Sequence, residues 1–197
     1  MYPIDLKDKN AIIFGIANHR SIAWSIAKIL HEAGARLAIA YQNERVRDTV
    51  AKLVEPWENT LLLECDVSED SNIKDVYEKV GEEFDNLHII VHSIAFANRE
   101  DLGGPFLVTN REGFRKALDI SAYSLIPIVR YGSHLMKDGG GSILTMTFQA
   151  SRRVYPGYNV MGTAKAALEN AVGQIASDLG PDNIRINAIS AGPLDTL

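Results

Sequence analysis

The stretch Asn10-Ala-Ile-Ile-Phe-Gly15-Ile-Ala-Asn-His-Arg-Ser21-Ile22-Ala23-Trp24 decides the fold. An apolar run ends at a glycine, a short polar loop follows, and Ser21 opens a helical pattern. Ile22, Ile26, Ile29 and Leu30 repeat at helical spacing as far as Ala33, and Gly34 is placed to end the helix. A buried strand followed by a turn and a helix is the opening unit of a parallel α/β sheet.

The alternation continues along the chain. Strands are expected at Arg36–Ala40, Thr60–Cys65, Leu87–His92, Ser142–Thr147 and Ile184–Ile189. Helices are expected at Glu44–Leu53, Asn72–Phe84, Arg111–Met136 and Tyr158–Leu179, and Gly139-Gly-Gly141 reads as a turn. The fold class is therefore α/β, a doubly wound Rossmann-like parallel sheet with helices on both faces. No linker or repeat divides residues 1–197, so one domain is expected.

Composition excludes several functions. The net charge of -5 and the lack of a basic run argue against nucleic acid as a partner. No apolar segment is long enough for a membrane span. Met1-Tyr-Pro-Ile-Asp5 lacks the features of a signal peptide. The single cysteine, Cys65, suits a reducing cytoplasm and is expected to be buried and inert. There is no CxxC, HExxH or histidine cluster, so no metal site is expected.

A doubly wound sheet binds ligands beyond the carboxyl ends of its strands, where strand order reverses. Here that places the crevice at Gly15 to Ser21 and at His92 to Ala97. The first loop keeps only Gly15 of the usual glycines. Ser21 is a good N-cap, and the N–H groups of Ile22 and Ala23 are available to a pyrophosphate. After the second strand come Tyr41-Gln42-Asn43 rather than an acidic residue. Gln42 can bond a ribose hydroxyl, while Arg45 and Arg47 are either a 2′-phosphate site or a solvated helix face. Asp66 and Val67 could hold an adenine, or Asp66 could cap the next helix.

Tyr158 and Lys165 stand seven residues apart in Tyr158-Asn-Val-Met161-Gly-Thr-Ala-Lys165. On a helix that spacing puts both on one face, roughly 10 Å apart along the axis. A lysine ammonium there would favour an ionised or polarised phenol, which can serve a carbonyl oxygen that gains charge.

Five motifs in register resemble the short-chain dehydrogenase/reductase superfamily, and within it the enoyl-(acyl-carrier-protein) reductases of bacterial fatty acid synthesis. They are Gly15-x5-Ser21-Ile-Ala-Trp24, Tyr41-Gln42-Asn43, His92-Ser-Ile-Ala-Phe96-Ala97, Tyr158-x6-Lys165 and Ala191-Gly192-Pro193. The resemblance implies reduction of trans-2-enoyl thioesters by hydride from NADH (leaving NAD), in preference to NADPH. It places Gly15, Ser21 and Ile22 at the pyrophosphate, Gln42 at the adenine ribose, and Asp66 and Val67 at the adenine. Ser93, Ile94, Ala95, Ile120, Met146, Lys165, Ala191, Gly192, Pro193, Leu194 and Thr196 line the rest of the cofactor path. Ala95, Phe96, Ala97, Phe148, Tyr158 and Met161 face the substrate, with Tyr158 and Lys165 catalytic. It further implies an acyl-carrier-protein-linked substrate and, at full length, a homotetramer.

Two departures stand out. Phe148 occupies the position where these enzymes usually carry a second tyrosine. Family members also continue beyond the Ala-Gly-Pro loop, so a C-terminally incomplete domain lacking its final strand is expected. Two other readings stay open. A 3-oxoacyl ketoreductase of the same superfamily would use a hydroxyl near Thr145, thirteen residues before Tyr158. A shortened relative could bind a dinucleotide without catalysis.

Overall fold

The computed structural model describes residues 4–136, 139–192 and Leu194. Pro193 and Thr196, expected along the cofactor path, lie outside the described residues.

Six strands form one parallel sheet. They are β1 (Asn10–Phe14), β2 (Arg36–Tyr41), β3 (Leu61–Glu64), β4 (Ile89–His92), β5 (Gly141–Thr147) and β6 (Ile184–Ser190). Their order is β3-β2-β1-β4-β5-β6, so the direction of winding reverses between β1 and β4. The carboxyl ends of these two strands lie side by side, with Phe14 paired to His92. That is where a ligand crevice is expected in such a sheet.

Helices cover both faces. α1 (Ile22–Glu32) and α2 (Glu44–Val54) bury Ala11, Ile13, Leu37, Ile39 and Val91 on one side. α3 (Asp70–Glu83), α5 (Leu125–Ser133) and α6 (Val160–Leu179) bury Ile12, Phe14, Ile90, Ile143 and Ile186 on the other. Adjacent strand residues thus go to opposite cores, as the period of two in a strand requires.

α1 packs Ile26 and Leu30 of the expected face against the core at part burial, but its fully buried residues are others. Ala23, Trp24 and Ala27 are buried, while Ile29 is 57 % exposed. The two alanines let the helix lie close to the sheet, and Trp24 stacks on Trp57 with ring centroids 4.6 Å apart. The helix ends as expected at Gly34, whose φ of 97° suits a residue without a Cβ.

The single helix expected over Arg111–Met136 is broken. α4 (Arg111–Leu118) passes through a π-turn at Asp119–Tyr123 before α5 begins. Pro127 has no N–H to give the carbonyl of Tyr123, and the ladder shifts just ahead of it. Ser124 N–H donates to Asp119 O at 3.1 Å, five residues back, and Ser124 Oγ donates to Ile120 O at 2.7 Å. The turn brings Ser121 and Ile120 toward the β4 loop.

Candidate active site

The loop after β1 builds one wall of the crevice. Gly15 has a φ of 104°, and a Cβ there would collide with the Ser93 carbonyl oxygen. Only glycine lets the β1 and β4 loops approach this closely. Ser21 does not cap α1 through its side chain. Its Oγ instead accepts from the N–H groups of Ala17 and Asn18, both at 3.1 Å, and so curls the loop. The first-turn N–H groups of Ile22 and Ala23 have no acceptor within the helix.

Two adjoining cavities share Gly15, Ala17, Ser93, Ile94 and Ala95. The first, about 180 Å³, is lined also by Gln42, Cys65, Asp66, Val67, Phe96 and Ile120. The second, about 420 Å³, is lined also by Ser21, Ile22, Met146, Phe148, Tyr158, Lys165, Ala191, Gly192 and Leu194. The structure therefore gathers most of the sequence-predicted residues into one elongated crevice. Its narrow end carries the groups expected at an adenine and its ribose. Its wide end carries the tyrosine and lysine.

Several residues take other places. Asp66 does not cap α3, whose N-cap position is Glu69. Its carboxylate accepts from Ser68 N–H at 3.0 Å and Ser68 Oγ at 2.7 Å, an Asx-type turn at the cleft edge. Arg45 and Arg47 are exposed and line neither cavity, with Arg47 3.8 Å from Glu44. Cys65 is buried, and burial followed by the nearby Asp66 charge pushes its thiol up to about 12. Met161 is also buried, its sulfur 3.8 Å from Ser121 Oγ. Ala97 is half-buried beyond the lining of the crevice.

Tyr158 is not on the helix. It lies in the turn just before α6, and Asn159, at φ 35° and ψ -118°, breaks the helical path between them. Lys165 occupies the second turn of α6 and is 4 % exposed. Its ammonium donates to the Met146 carbonyl at 2.8 Å, across to the end of β5. Burial brings it down to about 8. The same cause raises Tyr158 above its ordinary value, with no contribution from the lysine. That direction is opposite to the effect expected of the lysine.

Phe148 stands edge-on to Tyr158, with ring centroids 5.1 Å apart and planes at 67°. Tyr155 also packs against Phe148, with ring centroids 4.7 Å apart, and donates its O–H to Gln149 Oε1 at 3.0 Å. A second phenol is therefore near, but it is bonded to Gln149.

Three residues missed by sequence reasoning organise the site. Ser121 clamps the β4 loop, accepting from Phe96 N–H at 2.9 Å and donating to Phe96 O at 3.0 Å. His92 is fully buried between Thr145 Oγ1 at 2.8 Å and Ser124 Oγ at 2.9 Å. Asn159 reaches the carbonyls of Gly103 and Gly104. His92 and Asn159 stand inside quoted motifs, which was the visible signal; Ser121 had none. The Thr145 hydroxyl, a ketoreductase candidate, is wholly buried and engaged with His92.

The chain is similar in sequence and fold to known proteins. Residues 15–197 match the family model described as enoyl-(acyl carrier protein) reductase. The NADH-type enoyl-(acyl-carrier-protein) reductase FabI of a Nostoc species is 47 % identical, over 98 % of this chain and 76 % of its own. An NADPH-type FabI from Staphylococcus aureus is 46 % identical over the same shares. The crystal structure of an NADH-type enoyl-(acyl-carrier-protein) reductase from Aquifex aeolicus superposes with a TM-score of 0.95, at 45 % identity, over 98 % of this chain and 76 % of that one. The chain thus spans about three quarters of the length of these relatives. On the matched residues and the identity with these relatives, the chain belongs to the enoyl-(acyl carrier protein) reductase family.

Proposed function

We propose that the protein reduces trans-2-enoyl thioesters, carried on acyl carrier protein, to acyl thioesters in fatty acid biosynthesis. One observation carries the reading. Tyr158 and the buried Lys165 line the same end of a crevice that also holds Gly15, Ser21 and Ile22 at the start of α1.

The residues fit NADH. Gly15 allows the close loop approach, and the α1 N-terminus offers donors to a diphosphate. Gln42 suits a ribose hydroxyl and supplies no positive charge for a 2′-phosphate, which favours NADH over NADPH. Asp66 and Val67 flank the adenine end, and Lys165 stands within reach of the nicotinamide ribose end. Bound there, the reduced nicotinamide supplies the hydride that saturates the β-carbon.

Tyr158 acts on the substrate. As the β-carbon gains the hydride, the double-bond electrons move through the α-carbon to the thioester oxygen. The phenol O–H donates to that oxygen, where negative charge accumulates. A proton then reaches the α-carbon and the carbonyl is restored. Phe148 presents an apolar edge beside the phenol, which suits an acyl chain and keeps water from competing for the O–H.

The ketoreductase reading lacks a free hydroxyl, since Thr145 is held by His92. The tetramer implied by the resemblance would cover Phe114, Tyr123 and Ile126, which are exposed along α4 to α5. No helix among the described residues is long and apolar enough to cross a membrane. A cytoplasmic setting fits the buried, unpaired Cys65.

The test is NADH oxidation with crotonyl and acetoacetyl thioesters. Oxidation is expected with the enoyl substrate and not with the oxoacyl one. NADH binding without enoyl-dependent turnover would overturn the assignment.

A further inference from the structure

Next to Tyr158, the backbone of Asn159 takes a conformation that side chains rarely adopt, at φ 35° and ψ -118°. An outlier of this kind persists only where surrounding contacts hold it. Here the contacts come from one loop. Asn159 Nδ2 donates to the carbonyl of Gly103 and, at 3.3 Å, to that of Gly104. In return Gly103 N–H donates to Gly157 O at 3.0 Å. Gly103, Gly104 and Gly157 all have positive φ, so both segments are shaped for this meeting. The turn carrying the phenol is tied from both sides to a segment more than fifty residues earlier in the chain.

That segment, residues 98–110, is closed at its base. The buried Asp101 carboxylate accepts from Asn98 Nδ2 at 2.9 Å and Asn110 Nδ2 at 3.0 Å. Asn110 also caps α4 by accepting from Gly113 N–H at 2.8 Å. Above this base the loop exposes Leu102, Phe106, Leu107 and Val108. Gly104 and Phe106 face Tyr155, Tyr158 and Asn159 across a cavity of about 790 Å³. The loop thus has an apolar upper surface, a rigid base, and side-chain bonds from Asn159 joining it to the tyrosine turn.

We propose that Asn159 is a positioning residue: its amide couples Tyr158 to the 98–110 loop, so that the seating of an acyl chain against the loop sets the phenol over the thioester oxygen. The inference rests on the enoyl reductase reading for its chemistry and on the geometry alone for its tether.

The experiment compares the native protein with Asn159→Gly and Asn159→Asp. Glycine tolerates the backbone conformation and removes the amide. Aspartate also tolerates positive φ but turns a carboxylate toward two carbonyl oxygens. Turnover of a trans-2-enoyl thioester, NADH affinity and amide hydrogen exchange over residues 98–110 are measured. Loss of one neutral hydrogen bond corresponds to about a 3- to 10-fold effect. Asn159→Gly should therefore lower kcat by about that factor, leave NADH affinity unchanged and speed exchange at Gly103. Asn159→Asp should be slower still. A merely conformational role would leave Asn159→Gly near native turnover, because glycine accepts the backbone. Native exchange at Gly103 in both variants would overturn the tether. NADH affinity falling in step with kcat would overturn the positioning role. If the native protein shows no enoyl turnover, the enoyl reductase reading fails, and exchange at Gly103 still decides whether the tether exists.

Discussion

The ammonium of Lys165 donates to the carbonyl of Met146 at 2.8 Å, joining the second turn of α6 to the end of β5. It lies beside the crevice and not on the phenol of Tyr158. The lysine therefore ties α6 to β5 at the wide end of the crevice, and its charge is offered to whatever occupies the cleft. Burial brings it to about 8, from an ordinary 10.5. On the proposed reading the ammonium donates to the nicotinamide ribose hydroxyls below that value; above it a donor and its charge are lost. NADH affinity, titrated by fluorescence from about pH 6.5 to about pH 9.5, should weaken about 5- to 10-fold as pH rises through the lysine titration. Lys165→Met should bind more weakly at low pH and show a flat profile. A native profile that stays flat would remove the lysine from cofactor binding.

Tyr158 requires a different test, because its role is confined to the reacting state. Burial raises the phenol above its ordinary value, so its O–H is available to donate. Tyr158→Phe keeps the edge-on packing against Phe148 and removes only the hydroxyl. A donor aimed at developing charge contributes on the order of 3 kcal/mol, so kcat should fall about 10²- to 10³-fold. NADH affinity should change by less than about twofold, because the lost bond is made mainly in the transition state. Equal losses in kcat and affinity would place the hydroxyl on the cofactor instead.

Legibility in the sequence divides along physical lines. β1, Gly15 and the α1 start were readable because each is a local decision: an apolar run, a positive-φ turn, a first-turn donor set. The crevice followed from topology, since six parallel strands leave their carboxyl ends together. What stayed hidden depends on contacts between distant segments. Ser21 reads as a cap, yet its hydroxyl is claimed by Ala17 and Asn18. Thr145 reads as a free hydroxyl, yet His92 claims it. Tyr158 reads as helical because it adjoins the long α6, but Asn159 leaves the helical path and bonds to the Gly103 and Gly104 carbonyls. The π-turn at Asp119–Tyr123 leaves no periodic trace beyond Pro127. Periodicity reports which face is apolar, and it is silent on which polar group finds which partner.

Gly15 offers a direct test of the close loop approach. At φ 104° any side chain is strained, and a Cβ would strike the Ser93 carbonyl oxygen, a backbone atom that cannot rotate away. Gly15→Ala should force the β1 and β4 loops apart. The expected cost is about 1–3 kcal/mol in stability from the backbone alone, read as a lowered urea midpoint. NADH affinity should fall at least about tenfold, because the separated loops no longer flank one pyrophosphate. Glycine replaced by alanine at Gly173, where nothing lies within 4 Å of a new Cβ, is the control. Native affinity in Gly15→Ala would show that the approach is not needed for binding.

His92 predicts how the protein responds to acid. The imidazole is fully buried between Thr145 and Ser124, and burial, with the Lys165 charge next, pushes it down to about 3 from 6.5. In the unfolded chain it takes a proton near its ordinary value; in the fold it does not. Between these limits the unfolded state binds more protons, so stability rises with pH and is lost as pH falls from 6.5 toward 3. At about pH 5 the contribution is on the order of 2 kcal/mol against neutral pH. Urea midpoints at about pH 7 and pH 5 measure it. His92→Gln should be less stable than the native protein at neutral pH, because one of the two hydroxyls loses its partner. It should also lose less stability on acidification, because glutamine does not titrate. If the native protein and His92→Gln lose stability in parallel, the acid response belongs to other groups, and the histidine is held by its hydroxyl partners alone.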